Sequence, residues 1–281
     1  MMKRSVVTFL GLEDYLPLAK VICTGFENIE LPKEEPRSFS PEYSERVKTL
    51  WREHLERRPD DYDGCVGSIV SLSRSGKKLI IKFREATFSE FYATQTLRPE
   101  ILDTKSECLD QGFCLPLSFG AVAVTKSSSA YAKGCIVFAE RGETAFDEGR
   151  LTLLPGGYFD PGKDYFRGEE GEIYSIMVTV LRELHEELRV LRCESVDFLG
   201  LVYSSWGSRQ PLLATVLQLP FTAEDLWETT KNEKQNEVRR MFFVENDIFA
   251  VGGFLRRKKL AGKTLAIHDA WKLLLFFDKD T

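Results

Sequence analysis

RELHEEL, residues 182–188, crowds three carboxylates into five consecutive positions near the middle of the chain. On a helix, Glu183 lies three residues before Glu186 and four before Glu187, so the three side chains project toward one side. Like charges at those spacings repel by about 0.2–0.5 kcal/mol per pair. Two readings follow: a solvated acidic face, or a seat for a divalent cation. The helix itself is predicted by Ile173, Ile176, Val180, Leu184 and Leu188, which recur at helical spacing from near Glu172. The glutamates lie off the centre of that apolar stripe, toward a boundary with solvent.

Outward from this helix the pattern changes period. Upstream, SFGAVAVT, GCIVFAER and RLTLLPGG alternate or run apolar over strand lengths, and a polar, glycine-rich stretch DPGKDYFRGEEGE leads into the helix. Downstream, VDFLGLVYSS and PLLATVLQLP read as strands, TAEDLWETTKN as a helix and MFFVE as a strand, with a last helix from near Thr264. In the first hundred residues, NIELPKEEPRSFSPEY is a connector. Ser40-Pro41 then opens a helix through VKTLWREHLERR, with Ser at the N-cap and Pro in the first turn. Residues 64–83 read as two strands with a turn at Ser75-Gly76, and 88–100 as a short helix or a loop. This order predicts an α/β (α+β) chain, a mixed sheet with helices on its faces. A soft boundary near residue 115 separates a β-rich N-terminal extension or small domain (1–115) from a second unit (116–281).

The bulk numbers exclude some partners. The 281 residues are 43% hydrophobic and 29% charged, an ordinary globular composition. A net charge of −5 gives no general attraction to nucleic acid or anionic membranes, so neither is expected as a partner. The basic run RRKK at 256–259 is local, a solvated edge or an anion contact. Cys23, Cys65, Cys108, Cys114, Cys135 and Cys193 form no CxxC pair, and only three histidines accompany them. They read as reduced, mostly buried thiols of a cytoplasmic protein. The start MMKRSVVTFLGLEDYLP is basic and then apolar, but Glu13 and Asp14 cut the apolar run short. No apolar run reaches about 18 residues, so no membrane span is expected.

Gly156 and Gly157 end an apolar strand one helix before the glutamates. A hard cation such as Mg2+ takes oxygen ligands at about 2.1 Å, keeps several waters and accepts substrate phosphates as ligands. Carboxylates on one helix face with a backbone carbonyl opposite suit that need. Such a site neutralises a diphosphate and polarises a water for attack on phosphorus. A remaining carboxylate can take the proton.

The glycine pair at 156–157 followed by REL-H-EE at 182–187 resembles the Nudix box, G-x5-E-x7-R-E-U-x-E-E-x-G-U with U apolar. Arg182, Glu183, Leu184, Glu186, Glu187 and Val190 fall on box positions. The resemblance implies an α/β/α sandwich around a mixed sheet, with a strand–loop–helix catalytic unit. It also implies hydrolysis of a nucleoside diphosphate linked to another moiety, with Mg2+, or Mn2+ in its place, as cofactor. In that scheme Glu186 and Glu187 are the main metal ligands and Glu183 a ligand or water-activating base. Arg182 holds a glutamate in place, Gly156 lends a carbonyl to the metal, and Gly157 belongs to the loop beside the substrate. Three departures stand out: Lys163 replaces the loop glutamate, the stretch before Arg182 is long, and Arg189 replaces a glycine. Glu172 is a candidate substitute for the missing glutamate.

LSFGAVAVT, LLPGGYFDP, the stretched loop and NEVRRMFFVE look closest to the UDP-glucose and UDP-galactose pyrophosphatases of that family, which also carry a long N-terminal extension. IIKFREATFSEFYATQ is similar to part of that extension. The resemblance implies cleavage of a UDP-sugar to UMP and a sugar 1-phosphate. It also implies Glu237 as a further metal ligand or the base. Arg84, Thr94 and Arg209 are candidates for phosphate or sugar contact, each with a structural reading beside it. Trp206, in the loop SSWGSRQ, stacks on a base or sits in a rim or core. His185 is expected to be exposed, and His268 to be a partly buried residue with its polar atoms satisfied. The expected partner is a small-molecule nucleotide, with a homodimer left open. The competing readings are a non-catalytic nucleotide sensor or adaptor, and a hydrolase for ADP-ribose or another nucleoside diphosphate derivative.

Overall fold

The computed structural model describes residues 19–24, 27–35, 39–97, 114–142, 148–169, 171–204, 211–231 and 238–255. The N-terminal part runs β1 (Ala19–Thr24), β2 (Asn28–Glu30), α1 (Pro41–Arg57), β3 (Cys65–Ser75), β4 (Lys78–Thr87) and α2 (Phe88–Leu97). Ser40 caps α1 by accepting the Tyr43 N–H, with Pro41 in the first turn where its missing donor costs nothing. Gly76, at φ 58°, makes the tight turn between β3 and β4. Then come β5 (Ser118–Val124), β6 (Cys135–Arg141), β7 (Leu151–Leu153), β8 (Gly156–Tyr158), β9 (Tyr165–Gly168) and β10 (Gly171–Tyr174). The chain continues with α3 (Ile176–Leu188), β11 (Ser195–Ser204), β12 (Pro211–Gln218), α4 (Ala223–Thr230), β13 (Val238–Glu245) and α5 (Ile248–Leu255).

The protein is mixed α/β. Its main sheet runs β1-β11-β12-β5-β6-β13, with β8 paired to β5 and β7 to β6. The β12–β5 pair is parallel and the other pairs are antiparallel, so the sheet is mixed. A second sheet orders β2-β4-β3, and β9–β10 form a separate hairpin. Strand alternation divides β5 between two cores. Phe119, Ala121 and Ala123 face a core built with Val180, Leu184 and Leu188 of α3 and Leu226 of α4. Val122 and Val124 face another that includes Val251 and Leu255 of α5. Helices therefore cover both faces of the main sheet. Residues on both sides of position 115 share the first of these cores, with Leu79, Ile81 and Phe83 of β4 packed among the residues of β5 and α3. The strand β1 also pairs with β11, far along the chain.

One predicted element is corrected. The helix carrying the glutamates starts at Ile176, not near Glu172. Ser175 stops it from extending backward by accepting the Met177 N–H. Residues 171–174 pair with 165–168 instead, and Ile173, which fitted the helical stripe, is exposed on the hairpin. The stripe from Ile176 to Leu188 is buried as expected. The helix expected from Thr264, the run RRKK and His268 lie outside the described residues. Among the described residues, Cys65, Cys114, Cys135 and Cys193 are free, and no helix is long and apolar enough to cross a membrane. Burial pushes the Cys114 thiol up to about 12, which keeps it neutral.

Candidate functional site

The turn between β7 and β8 brings the glycine pair under α3. The Gly156 N–H donates to Glu187 Oε2 at 2.8 Å, and Glu187 as a residue is only 8% exposed. One step along β8, the Glu183 carboxylate lies directly on Gly157. A Cβ placed there would come within 1.9 Å of Oε1, so any larger residue would push the carboxylate aside. Successive glycines of the strand thus meet successive turns of the helix. Glu186 faces outward, and His185 is exposed. The three glutamates therefore fan from core to solvent rather than sharing one exposure.

Arg182 organises this face with all of its N–H donors. Nε and Nη2 grip the Asp164 carboxylate at 2.8 and 3.0 Å, and Nη2 also reaches the Tyr158 carbonyl at 2.9 Å. Nη1 donates to Glu183 Oε1 at 2.8 Å and Glu186 Oε2 at 3.2 Å. That accounts for five donors, the full capacity of a guanidinium. Burial opposes the charge, but the hydrogen bonds to Asp164 and the field of Glu183 outweigh it and hold Arg182 above the ordinary arginine value. Asp164 is fully buried and also accepts the Asp160 N–H at 2.8 Å.

Asp164 was not singled out in the sequence. It lies one residue beyond Lys163, where the family pattern has glutamate, and the only available signal was the second aspartate of DPGKD. Lys163 itself pairs with Asp160 at 3.4 Å. Glu172, the proposed substitute, sits on β10 and accepts a hydrogen bond from the Tyr174 hydroxyl. The carboxylate that meets Arg182 from the loop is Asp164, because the loop closes by a backbone bond from Ser175 N–H to Asp164 O at 3.1 Å.

Arg84 and Thr94 are brought together in the N-terminal part, where both are buried. Arg84 Nη1 donates to Glu90 Oε2 at 2.9 Å and Thr94 Oγ1 to the Glu90 carbonyl at 2.8 Å. Thr94 also accepts the Cys114 N–H. Glu237, Arg209 and Trp206 lie outside the described residues. Arg84 Nη2 and Thr179 Oγ1 are buried with no hydrogen-bond partner among the described residues.

The donor chemistry at α3 fits a hard divalent cation, since its side chains offer carboxylate oxygens. The geometry has Glu187 turned to Gly156 and both Glu183 and Glu186 turned to Arg182 Nη1. Among the described residues, no group of three His, Cys, Asp or Glu side chains stands ready to hold a metal. Arg182 engages one carboxylate oxygen each of Glu183 and Glu186.

No family model and no curated protein matches the chain. Among solved structures, it is similar to a chain in the crystal structure of the complex between the C-terminal domain of mouse MUTYH and human PCNA. The match covers 56% of this chain and 86% of that one, at 10% identity and a TM-score of 0.35, and carries no argument about fold or function.

Proposed function

We propose that the protein is a Nudix-type hydrolase that splits the pyrophosphate bond of a nucleoside diphosphate sugar, with UDP-glucose and UDP-galactose the leading substrates. The observation that carries this reading is the seating of Glu183 and Glu187 against Gly157 and Gly156, with Arg182 tying the helix to the preceding loop. A mixed sheet covered by helices on both faces is in keeping with the α/β/α sandwich of that family.

In this reading Glu183, Glu186 and Glu187 would hold Mg2+. The ion would supply charge neutralisation at the diphosphate and activation of the attacking water. Glu183, at the strand–helix contact, would be a ligand or would accept the proton of the attacking water. Arg182, fixed by Asp164 and the Tyr158 carbonyl, keeps the loop and helix in register. The products are UMP and a sugar 1-phosphate.

The test is purified protein with Mg2+ or Mn2+ and a panel of UDP-, GDP- and ADP-sugars, with products separated by chromatography. Hydrolysis of a nucleotide sugar is expected, and none across the panel removes the reading. The hold of Arg182 on Glu183 and Glu186 favours one alternative, a module that binds a nucleotide without cleaving it. Calorimetry showing tight binding with no product would select that alternative.

A further inference from the structure

We infer that Tyr62 and Lys163 form the subsite for the nucleoside monophosphate half of the substrate, with the base stacked on the Tyr62 ring and the neighbouring phosphate on the Lys163 ammonium. The inference rests on the reading of α3 as the site of a nucleoside diphosphate hydrolase, and it gives the N-terminal part a role in that site.

The loop between α1 and β3 holds Tyr62 outward. The aspartates on either side of it have partners within the N-terminal part. Asp61 Oδ2 is 2.7 Å from His54 Nε2 and accepts from Arg58 Nε at 3.2 Å, and Asp63 Oδ1 accepts the Ser89 N–H at 2.7 Å. Gly64 closes the loop, with its N–H on the Tyr62 carbonyl and its carbonyl on the Phe88 N–H. The Tyr62 ring lies against Gly64, where a Cβ would come 2.9 Å from Cε2, yet the residue is 74% exposed. A single exposed aromatic is ordinary on a protein surface. This one is held by anchored neighbours on both sides and stands near a cation, a combination that suits a ligand. A ring fixed in this way offers stacking surface at little entropy cost.

The cation is Lys163, in the loop between β8 and β9. The Gly162 backbone hydrogen-bonds the Cys65 thiol at the start of β3, so this loop adjoins the one that carries Tyr62. Tyr62 and Arg182 both lie within electrostatic range of the Lys163 ammonium. Asp160 Oδ2 stands 3.4 Å from Nζ, and the Lys163 side chain stays 53% exposed, so the ammonium keeps donors for a ligand. The next residue, Asp164, is the one Arg182 grips, and Arg182 also bonds Glu183. Lys163 therefore adjoins both the Tyr62 ring and the carboxylate helix. Where the family pattern has a glutamate, which repels phosphate, this chain has an ammonium, which attracts it.

The test measures Kd for UMP, GMP and AMP by calorimetry in Mg2+, with kcat and KM for the best substrate of the panel. The proteins are wild type, Tyr62→Ala, Tyr62→Phe, Lys163→Met and Lys163→Arg. Tyr62→Ala is expected to weaken the tightest-bound nucleotide about 10-fold and to raise KM as much, with kcat within about twofold. Tyr62→Phe should keep the wild-type values, because the ring remains. Lys163→Met should weaken the nucleotide about 10-fold, and Lys163→Arg should recover most of that loss. Tm should not move in any variant, since neither side chain is buried, whereas a packing role would shift it. A Tyr62→Ala variant with wild-type Kd overturns the inference. So does a Tyr62→Phe variant as impaired as the alanine, a Lys163→Met variant with unchanged Kd, or a wild type that binds none of the three nucleotides. A wild type that hydrolyses nothing in the panel, yet loses its nucleotide with Tyr62→Ala, removes the proposed function and leaves the subsite standing as one for binding alone.

Discussion

Gly157 lies so close to the Glu183 carboxylate that a methyl group there would displace it. A Cβ on Gly157 would lie 1.9 Å from Glu183 Oε1 and 2.2 Å from its Cδ. The glycine is needed for close approach and not for a left-handed turn. Gly157→Ala is therefore expected to push Glu183 off the strand. Because the atoms that must move end a flexible side chain, stability should change by less than about 1 kcal/mol, while displacing the proposed catalytic carboxylate by about 1 Å should lower turnover about 100-fold. Urea unfolding and kcat measured on the same preparation check both.

Asp164→Asn keeps the shape of a buried side chain but removes its charge and sets an amide donor against the Arg182 fork. Breaking one partner of a buried ion pair costs about 3–5 kcal/mol, and the isosteric change should fall near the lower end. Chemical denaturation should show the loss, and turnover should fall with it, since Arg182 then holds Glu183 without its loop anchor.

Glu187→Gln retains an oxygen to accept the Gly156 N–H, so stability should stay within about 1 kcal/mol of wild type. Mg2+-dependent turnover should fall at least about 100-fold if the proposed function holds, because the proposed metal ligand loses its charge. A variant that still turned over at the wild-type rate would place the metal elsewhere.

Arg189 ends α3 in the left-handed region, at φ 56°, with its N–H on the His185 carbonyl. A side chain there costs about 1 kcal/mol that glycine does not incur. Arg189→Gly is expected to raise stability by about 0.5–1 kcal/mol, seen as a rise of a few degrees in Tm.

Lys33 ties the N-terminal part to the hairpin, with Nζ 2.6 Å from Glu85 Oε1 and 3.4 Å from the Tyr174 hydroxyl. The Glu85 hydrogen bond, working against burial, holds its ammonium above the ordinary value of 10.5. A raised folded pKa gives stability that is complete below 10.5 and is lost as pH rises through the raised value. Lys33→Met should cost less than about 1 kcal/mol at neutral pH, because the pair is partly exposed. It should also flatten the fall in stability that wild type shows at alkaline pH, measured by thermal melts across that range.

The sequence by itself determined the elements whose signals are local. Ser40-Pro41 announced α1 because a cap and a first-turn proline act within three residues. The stripe Ile176, Val180, Leu184 and Leu188 announced a buried helix face, and alternation announced β5 and β6. The acidic helix and the glycine pair were legible for the same reason. Ile173 was misread because its spacing also fits a helix. Its true partner, Phe166, lies across a hairpin that periodicity cannot register. The short helix α5, with adjacent glycines inside an apolar run, offered no period to read.

Only the tertiary structure decided what the site is made of. Asp164 meets Arg182 across 18 residues and an intervening hairpin, and β1 meets β11 across most of the chain. Burial then separated three glutamates of equal chemistry: Glu187 turned inward to a backbone N–H, Glu183 pressed on Gly157, and Glu186 left at the surface. Spacing along a helix fixes the direction of a side chain, but what lies in that direction comes from another part of the chain.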